Sequence, residues 1–267
     1  MAQGNLGSYK MTSWSPSKYL KFEDERTLAA RDLLSRVKLE TAARIVDIGC
    51  GPGNSTELLA ERFPEADILG FDSSIDMLEQ ARARLPRAKF IEADVTTWSP
   101  DAPVDLLYAN AVFHWVPDHL SVLERLFASL APGGVLAVQL PDNLDEPSHR
   151  LMREVAVNGH WAERLANAED ALDDVHPSAA YYDRLQPMAA RVDVWHTLYN
   201  HPLEGPGAIR DFLASTGMRP FLAPLDADEQ EAYLDDYERR VEKAYPPLVD
   251  GRVMLCFPRL FVVAVRA

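Results

Sequence analysis

Apolar residues along this chain alternate between two spacings. Short apolar runs at 44–48, 67–72, 88–92, 104–109 and 134–139 read as strands. Between them, 55–62, 74–85 and 120–130 carry apolar positions three and four apart and read as helices. A further helix is expected before the first strand, at 23–37, where Leu28, Ala29, Leu33 and Leu34 fall at helical spacing. Strand–helix alternation of this kind predicts a parallel sheet with right-handed crossovers and helices on both faces. Pro132-Gly133-Gly134 reads as a stop signal between a helix and the fifth strand.

After residue 139 the rhythm changes. Residues 147–187 read as helices and loops without a strand, including a helix at 154–168. A strand returns at 192–199, followed by a helix at 207–215, a very acidic helix at 226–244 and a last strand at 260–265. The expected fold is therefore α/β, with a mostly parallel seven-stranded sheet whose final strand is an antiparallel partner. We expect one domain over 1–267: an N-terminal arm and helix to about 42, a ligand-binding core at 43–140, a helical cap at about 147–187, and the end of the sheet at 188–267. The cap would lie over the carboxyl ends of the strands, where open α/β sheets bind ligands.

Composition narrows the partners. With 47% hydrophobic and 25% charged residues, the chain is an ordinary soluble globule. A formal charge of -14 argues against nucleic acid, which needs clustered Lys and Arg. Two cysteines, Cys50 and Cys256, make neither a disulfide framework nor a metal pattern and fit a reducing cytoplasm. Residues 1–14 lack the apolar core of a signal peptide, and no apolar run is long enough to span a membrane.

The chemistry concentrates at Asp47-Ile48-Gly49-Cys50-Gly51-Pro52-Gly53-Asn54. A strand running through a glycine-rich turn into a helix is where doubly wound proteins hold a nucleotide-like cofactor. The spacing is G-x-G-x-G with an acid in front, where a pyrophosphate site has G-x-G-x-x-G and helix N-terminal amides. Asp47 would repel phosphate and suits a cofactor with a cationic amino acid end. Asp72 ends the second strand, placed for ribose hydroxyls, and Asp94 ends the third, within reach of an adenine amino group. Asn110 follows the fourth, with His114-Trp115 close behind. Any one of these acids could be a helix N-cap; their recurrence at successive strand ends points to one crevice.

Asp47 to Gly53, Asp72 and Asp94 resemble the S-adenosylmethionine-binding motifs of the class I methyltransferases, which have a Rossmann-like fold. That resemblance implies a cofactor-binding set of Asp47, Gly49, Gly51, Gly53, Asn54, Asp72, Ser73, Met77, Asp94, Val95, Asn110, Ala111 and Trp115. The glycine loop would lie beside the cofactor's amino acid moiety, Asp72 at the ribose, and Asp94 with Val95 at the adenine. The segments Asp24-Glu25-Arg26-Thr27, Phe113-His114-Trp115-Val116, Tyr199-Asn200-His201-Pro202-Leu203 and Thr216-Gly217-Met218-Arg219-Pro220-Phe221-Leu222 are similar to a branch of that family that esterifies a small polycarboxylic acid. The substrate it implies is a small polycarboxylate, whose ionised carboxylate attacks in line without a general base.

Residues that would position such a substrate are Trp14, Tyr19 and Phe22 of the arm, Arg26, His114, Arg184 and Tyr199. Arginine is favoured because its planar fork grips carboxylate bidentately; Arg150, Arg219, Arg240, Arg252 and Arg259 are further cations without an assigned role. Arg240 can simply pair with Asp236, and alternation puts Trp195 and His196 on opposite faces of their strand. Three rival readings stay open: a methyltransferase for a phenol, enol carbon or amine with His114 as base; an NAD-linked oxidoreductase, disfavoured by Asp47 and the glycine spacing; and a non-catalytic cofactor-binding regulator.

Overall fold

The computed structural model describes residues 23–168 and 175–267, with side chains from Thr27 onward in the first helix. Seven strands form one sheet in the order β3-β2-β1-β4-β5-β7-β6. They are β1 (Arg44–Ile48), β2 (Asp67–Asp72), β3 (Lys89–Glu92), β4 (Val104–Asn110), β5 (Leu130–Pro141), β6 (Ala189–Leu203) and β7 (Val253–Arg266). Strands β1 to β5 pair in parallel, and β7 runs antiparallel to both β5 and β6. The order of β1 to β5 reverses between β1 and β4, which opens a crevice at their carboxyl ends.

Helices α1 (Glu23–Ser35), α2 (Asn54–Arg62), α5 (Pro147–Asn158), α7 (Pro206–Ala214) and α9 (Ala227–Ala244) bury side chains in one apolar layer. That layer joins Leu33, Leu59, Val155, Phe212 and Tyr237 to Tyr108, Ala137, Phe257 and Phe261 of the sheet. The opposite face packs Leu123, Leu126 and Phe127 of α4 (His119–Ala128) and Tyr181 of α6 (Ser178–Leu185) on Ile48, Leu107, Val138 and Val262. Each large side chain so buried contributes about 1.5–3 kcal/mol. The remaining helices are α3 (Ile75–Arg84) and the short α8 (Arg219–Leu222). The acidic α9 starts with a capping box between Asp226 and Glu229 and turns Tyr233, Tyr237 and Val241 inward. Arg240 does pair with Asp236, at 3.0 Å.

Three elements differ from the sequence expectation. Helix α4 ends at Ala128, but β5 already begins at Leu130 and absorbs Pro132-Gly133-Gly134 as a bulge, its register on β4 shifting between Val104 and Leu106. The helix expected at 154–168 is not continuous: α5 starts early, with Pro147 in its first turn, and stops at Asn158. Trp161 then folds back, its indole N–H donating to the Val155 carbonyl at 3.0 Å, and Gly159 leaves the space that the ring fills. Strands β6 and β7 are far longer than expected and pair from Ala189↔Arg266 to Leu203↔Val253. Pro258, inside β7, donates no backbone hydrogen bond. It sits just beyond the Pro141↔Arg259 pair that ends β5, where β7 is bordered by β6 alone.

Among the described residues no helix is long and apolar enough to cross a membrane, and no cluster of His, Cys, Asp or Glu could hold a metal ion. Both cysteines are free.

Candidate functional site

The crevice is built first by backbone. Gly49, Gly51 and Gly53 take φ of 61°, 53° and 90°, the left-handed region that side chains disfavour. At Gly49 space also matters, because a Cβ would meet Val112 at 2.5 Å. The loop therefore lies directly against the turn that follows β4. Asp47 is buried beneath it, its Oδ2 accepting from Ser55 Oγ at 2.7 Å and Thr56 Oγ1 at 2.6 Å. Burial pushes its carboxyl up to about 7 against the pull of those two hydroxyls. Its Oδ1 is buried without a hydrogen-bond partner.

Asp72 shapes the same loop from β2, accepting from the Gly51 N–H at 3.0 Å and the Ser74 N–H at 2.9 Å. Burial raises its pKa, and bonds from the backbone of Ser74, Gly51 and Ser73 oppose the rise. Ser73 is exposed beside it, Met77 is buried in α3, and Asn54 opens α2 directly after Gly53. After β3, Asp94 is exposed and accepts from the Thr96 N–H at 2.8 Å and hydroxyl at 2.7 Å. Arg125 of α4 clamps that turn through the carbonyls of Val95 at 2.7 Å and Trp98 at 2.5 Å. Sequence reasoning missed Arg125, since an arginine in a helix gives no signal of the distant loop it holds.

At the tip of β4, Asn110 Oδ1 is buried without a hydrogen-bond partner. Ala111 follows with φ 58°, held there by its N–H to the Gln139 carbonyl at 2.9 Å. A left-handed alanine costs about 1–2 kcal/mol, and strain of this kind gathers where a ligand is handled. The next turn carries His114 and Trp115, ring centroids 4.8 Å apart. Burial first, and then the Arg259 charge, lower the His114 pKa to about 3, so its imidazole is neutral. Its Nδ1 has no hydrogen-bond partner.

Beyond β4 the side chains near the strand ends are of a different kind. Arg259 of β7 is only 4% exposed, and its Nη1 donates to Gln139 Oε1 of β5 at 3.0 Å. Its Cζ stands 4.8 Å from the Phe257 ring centroid. His149 of α5 lies edge-on to the same ring at 6.1 Å, and His201 of β6 is tilted against it at 6.3 Å. Burial lowers His149 to about 3 and His201 to about 4, so both are neutral. Gln139, His149 and His201 had no assigned role in the sequence reading. The available signal was an amide and a cation inside the apolar runs of β5 and β7.

Of the expected substrate residues, His114 has a buried nitrogen without a hydrogen-bond partner among the described residues. Trp14, Tyr19, Phe22 and the Arg26 side chain lie outside the described residues. Arg184 pairs with Glu124 of α4 at 2.9 Å, both side chains well exposed, because α6 packs on α4 and turns that face to solvent. Tyr199 stacks on His201 at 6.1 Å, but its hydroxyl donates to Asp32 of α1 at 2.6 Å and ties β6 to that helix. Trp195 stacks on Phe261 at 4.9 Å while His196 meets Asp142 at 2.7 Å, as opposite faces require.

Residues 45–134 match a family described as a methyltransferase domain. The trans-aconitate 2-methyltransferase of Rhodopseudomonas palustris (strain HaA2) is 54% identical over 256 residues, covering 96% of this chain and 100% of the relative. That of Variovorax paradoxus (strain S110) is 55% identical over 255 residues, covering 95% and 98%. The chain belongs to the trans-aconitate 2-methyltransferase family.

Solved structures share the fold. The YcgJ protein from Bacillus subtilis superposes with a TM-score of 0.59 at 11% identity, covering 90% of this chain and 98% of its own. Haemonchus contortus phosphoethanolamine N-methyltransferase 2, in complex with S-adenosyl-L-methionine, gives 0.51 at 15%, covering 90% and 52%. In this member of the trans-aconitate 2-methyltransferase family the crevice fits a nucleoside that carries an amino acid. The glycine loop leaves backbone open to a ligand, Asp72 and Asp94 offer carboxylate oxygens at two strand tips, and the orphaned Asn110 oxygen can accept from the ligand.

Proposed function

We propose that this protein esterifies one carboxylate of trans-aconitate with the methyl group of S-adenosyl-L-methionine, releasing S-adenosyl-L-homocysteine and a monomethyl ester. The observation that carries the reading is identity of 54% to a trans-aconitate 2-methyltransferase over 96% of the chain. Bound in the crevice, S-adenosyl-L-methionine supplies a methyl group activated by a cationic sulfonium. Gly49, Gly51, Gly53 and Asn54, backed by Asp47, receive its amino acid end. Asp72, Ser73 and Met77 face the ribose, Asp94 and Val95 the adenine, and Asn110, Ala111 and Trp115 form the wall towards the substrate.

The chain's own residues have to orient and desolvate rather than move protons. A carboxylate is ionised at neutral pH and needs no base. His114 supports this reading, because an imidazole near 3 is a poor proton acceptor. Taking a proton from a phenol near 10 would then be uphill by about seven pH units, on the order of 10 kcal/mol. The neutral ring is suited instead to a hydrogen bond with a substrate oxygen.

One apolar layer that runs from α1 to α9 supports a single catalytic domain. The net charge of -14 supports a small molecule rather than nucleic acid as partner, and two free thiols support action in the cytoplasm. The test is mass spectrometry after incubation with trans-aconitate and methyl-labelled S-adenosyl-L-methionine. A labelled monomethyl ester is expected. Cofactor binding by calorimetry with no ester from any di- or tricarboxylic acid would leave a binding protein, not this enzyme.

A further inference from the structure

We infer that the side-chain amide of Gln139 donates to the substrate carboxylate that receives the methyl group, holding the oxygen that becomes the ester carbonyl and leaving the other oxygen to attack. The inference deepens the esterification reading and rests on it.

The backbone puts this amide beside the cofactor crevice. In the β4–β5 ladder Gln139 lies opposite Asn110, and its carbonyl accepts the Ala111 N–H at 2.9 Å. Gln139 is therefore the β5 neighbour of the left-handed turn at the tip of β4. It is fully buried, where a polar side chain is uncommon.

The amide is oriented from the opposite side. Arg259 of β7 donates through Nη1 to Gln139 Oε1 at 3.0 Å. The reverse orientation would set the amide N–H2 against a guanidinium, donor against donor. With Oε1 committed to the β7 side, Nε2 is turned away from β7, and it has no hydrogen-bond partner. The cross-strand neighbour Asn110 also keeps a buried oxygen without a partner, so the two side chains do not satisfy each other. A buried N–H2 with nothing to bind is costly and rare in native proteins, and a ligand oxygen would relieve it. His114, whose Nδ1 is likewise buried without a partner, feels the Arg259 charge and so stands within electrostatic reach of the same amide. The orientation holds whatever further bonds Arg259 makes, and a donor on Oε1 polarises the amide and strengthens Nε2.

Chemistry decides which group of the substrate is held. The attacking oxygen gains the methyl, the carbon–sulfur bond breaks with its electron pair left on sulfur, and no proton moves. The carboxylate loses its negative charge on the way. A cation placed directly on it would bind the ground state more tightly than the transition state. A neutral amide loses less, because the carbonyl oxygen of the ester still accepts its hydrogen bond. Fixing that oxygen also fixes the plane of the carboxylate, and so the direction from which the second oxygen meets the methyl carbon.

The experiment compares wild type with Gln139→Glu and Gln139→Met. It reads the Kd for S-adenosyl-L-homocysteine, the Kd for trans-aconitate in that complex, kcat/KM and the melting temperature. Gln139→Glu, ionised beside Arg259, keeps an acceptor for the guanidinium and removes the donor; Gln139→Met removes both at similar length. Trans-aconitate binding weakens by at least about tenfold in Gln139→Met and by at least about a hundredfold in Gln139→Glu. The loss in kcat/KM follows the same order, and the affinity for S-adenosyl-L-homocysteine is unchanged. A residue that only braced Arg259 would give the opposite order, with Gln139→Glu close to wild type, and that order would overturn the proposal. Unchanged trans-aconitate binding in either variant would do the same. Wild type gives a test that needs no variant. With nitrogen-15 in the glutamine side chains, trans-aconitate added to the S-adenosyl-L-homocysteine complex shifts one amide pair that exchanges slowly with solvent. A complex that binds the acid without that shift would also sink the assignment. Wild type that binds S-adenosyl-L-homocysteine but neither binds nor esterifies any di- or tricarboxylic acid would instead bring down the esterification reading itself.

Discussion

The two halves of the crevice solve the placing of charge in opposite ways. On the β1–β4 side, carboxylates are fixed mostly by donors within nine residues, Asp47 by Ser55 and Thr56, Asp72 by the Ser74 amide and Asp94 by Thr96, with the Gly51 amide reaching Asp72 across 21 residues. On the β5–β7 side the charge is positive and its surroundings are assembled across the fold, with Arg259 and Gln139 separated by 120 residues. The acidic half suits a cationic cofactor, while the other half packs one guanidinium against Gln139 and the Phe257 ring. Local sequence makes the first half; tertiary packing makes the second.

The comparison breaks most readily at Asp72. Asp72→Ala removes two charge-assisted bonds to backbone, each worth about 1.5–3 kcal/mol, and should raise the Kd for S-adenosyl-L-methionine by about a thousandfold in calorimetry. A change below tenfold would mean that the loop holds its shape without the carboxylate. Gly49→Ala comes next. Its Cβ would meet Val112 at 2.5 Å on a left-handed backbone, so the loss of stability in chemical denaturation should be about 2–3 kcal/mol. Adding Val112→Ala should recover the steric part and leave the backbone part.

Acid and base should then separate the halves by sign. The folded-state pKa of Asp47 is raised from 3.8 to about 7, so its contribution to stability is present below pH 3.8 and is lost as pH rises to about 7. That of His149 is lowered from 6.5 to about 3, so its contribution is present above pH 6.5 and is lost as pH falls towards 3. Without cofactor, Asp47→Asn should remove a fall in stability as pH rises from 3.8 to about 7, and His149→Gln a rise in stability from about pH 3 to 6.5, each by about 2 kcal/mol. Thermal melts across pH 4–8 measure both, and slopes of the same sign would erase the contrast. The smallest effect is expected at Arg184: Arg184→Ala should shift stability by less than about 0.5 kcal/mol and leave kcat/KM unchanged, since it removes one exposed pair.

What could be read from sequence follows the same division. The glycine loop, Asp72, Asp94 and Asn110 announce themselves because a turn and a strand end are encoded within a few residues. The sheet was legible up to β4 for that reason, with helix and strand ends displaced by a few residues. Beyond it, the bulge at Pro132-Gly133-Gly134 and the long β6–β7 ribbon escaped notice, because neighbouring strands allowed what local rules disfavour. Arg184 carries the right charge for a carboxylate, but only packing shows that α6 turns it towards Glu124. Arg259 looked like one cation among several until β5, β6 and α5 closed around it.

The pleat of β7 has a practical consequence for following the enzyme in solution. Cys256 and Phe257 are consecutive on that strand, so the thiol emerges on the face opposite the aromatic ring and keeps partial exposure. Cys50 is sealed under the glycine loop, and burial pushes its thiol far above the usual range. The native chain therefore offers one addressable sulfur. Burial and the nearby Glu146 also hold Cys256 above its ordinary pKa, so mildly alkaline buffer favours its alkylation. A fluorophore attached there sits one residue from the ring that packs against Arg259 and would report changes in this part of β7.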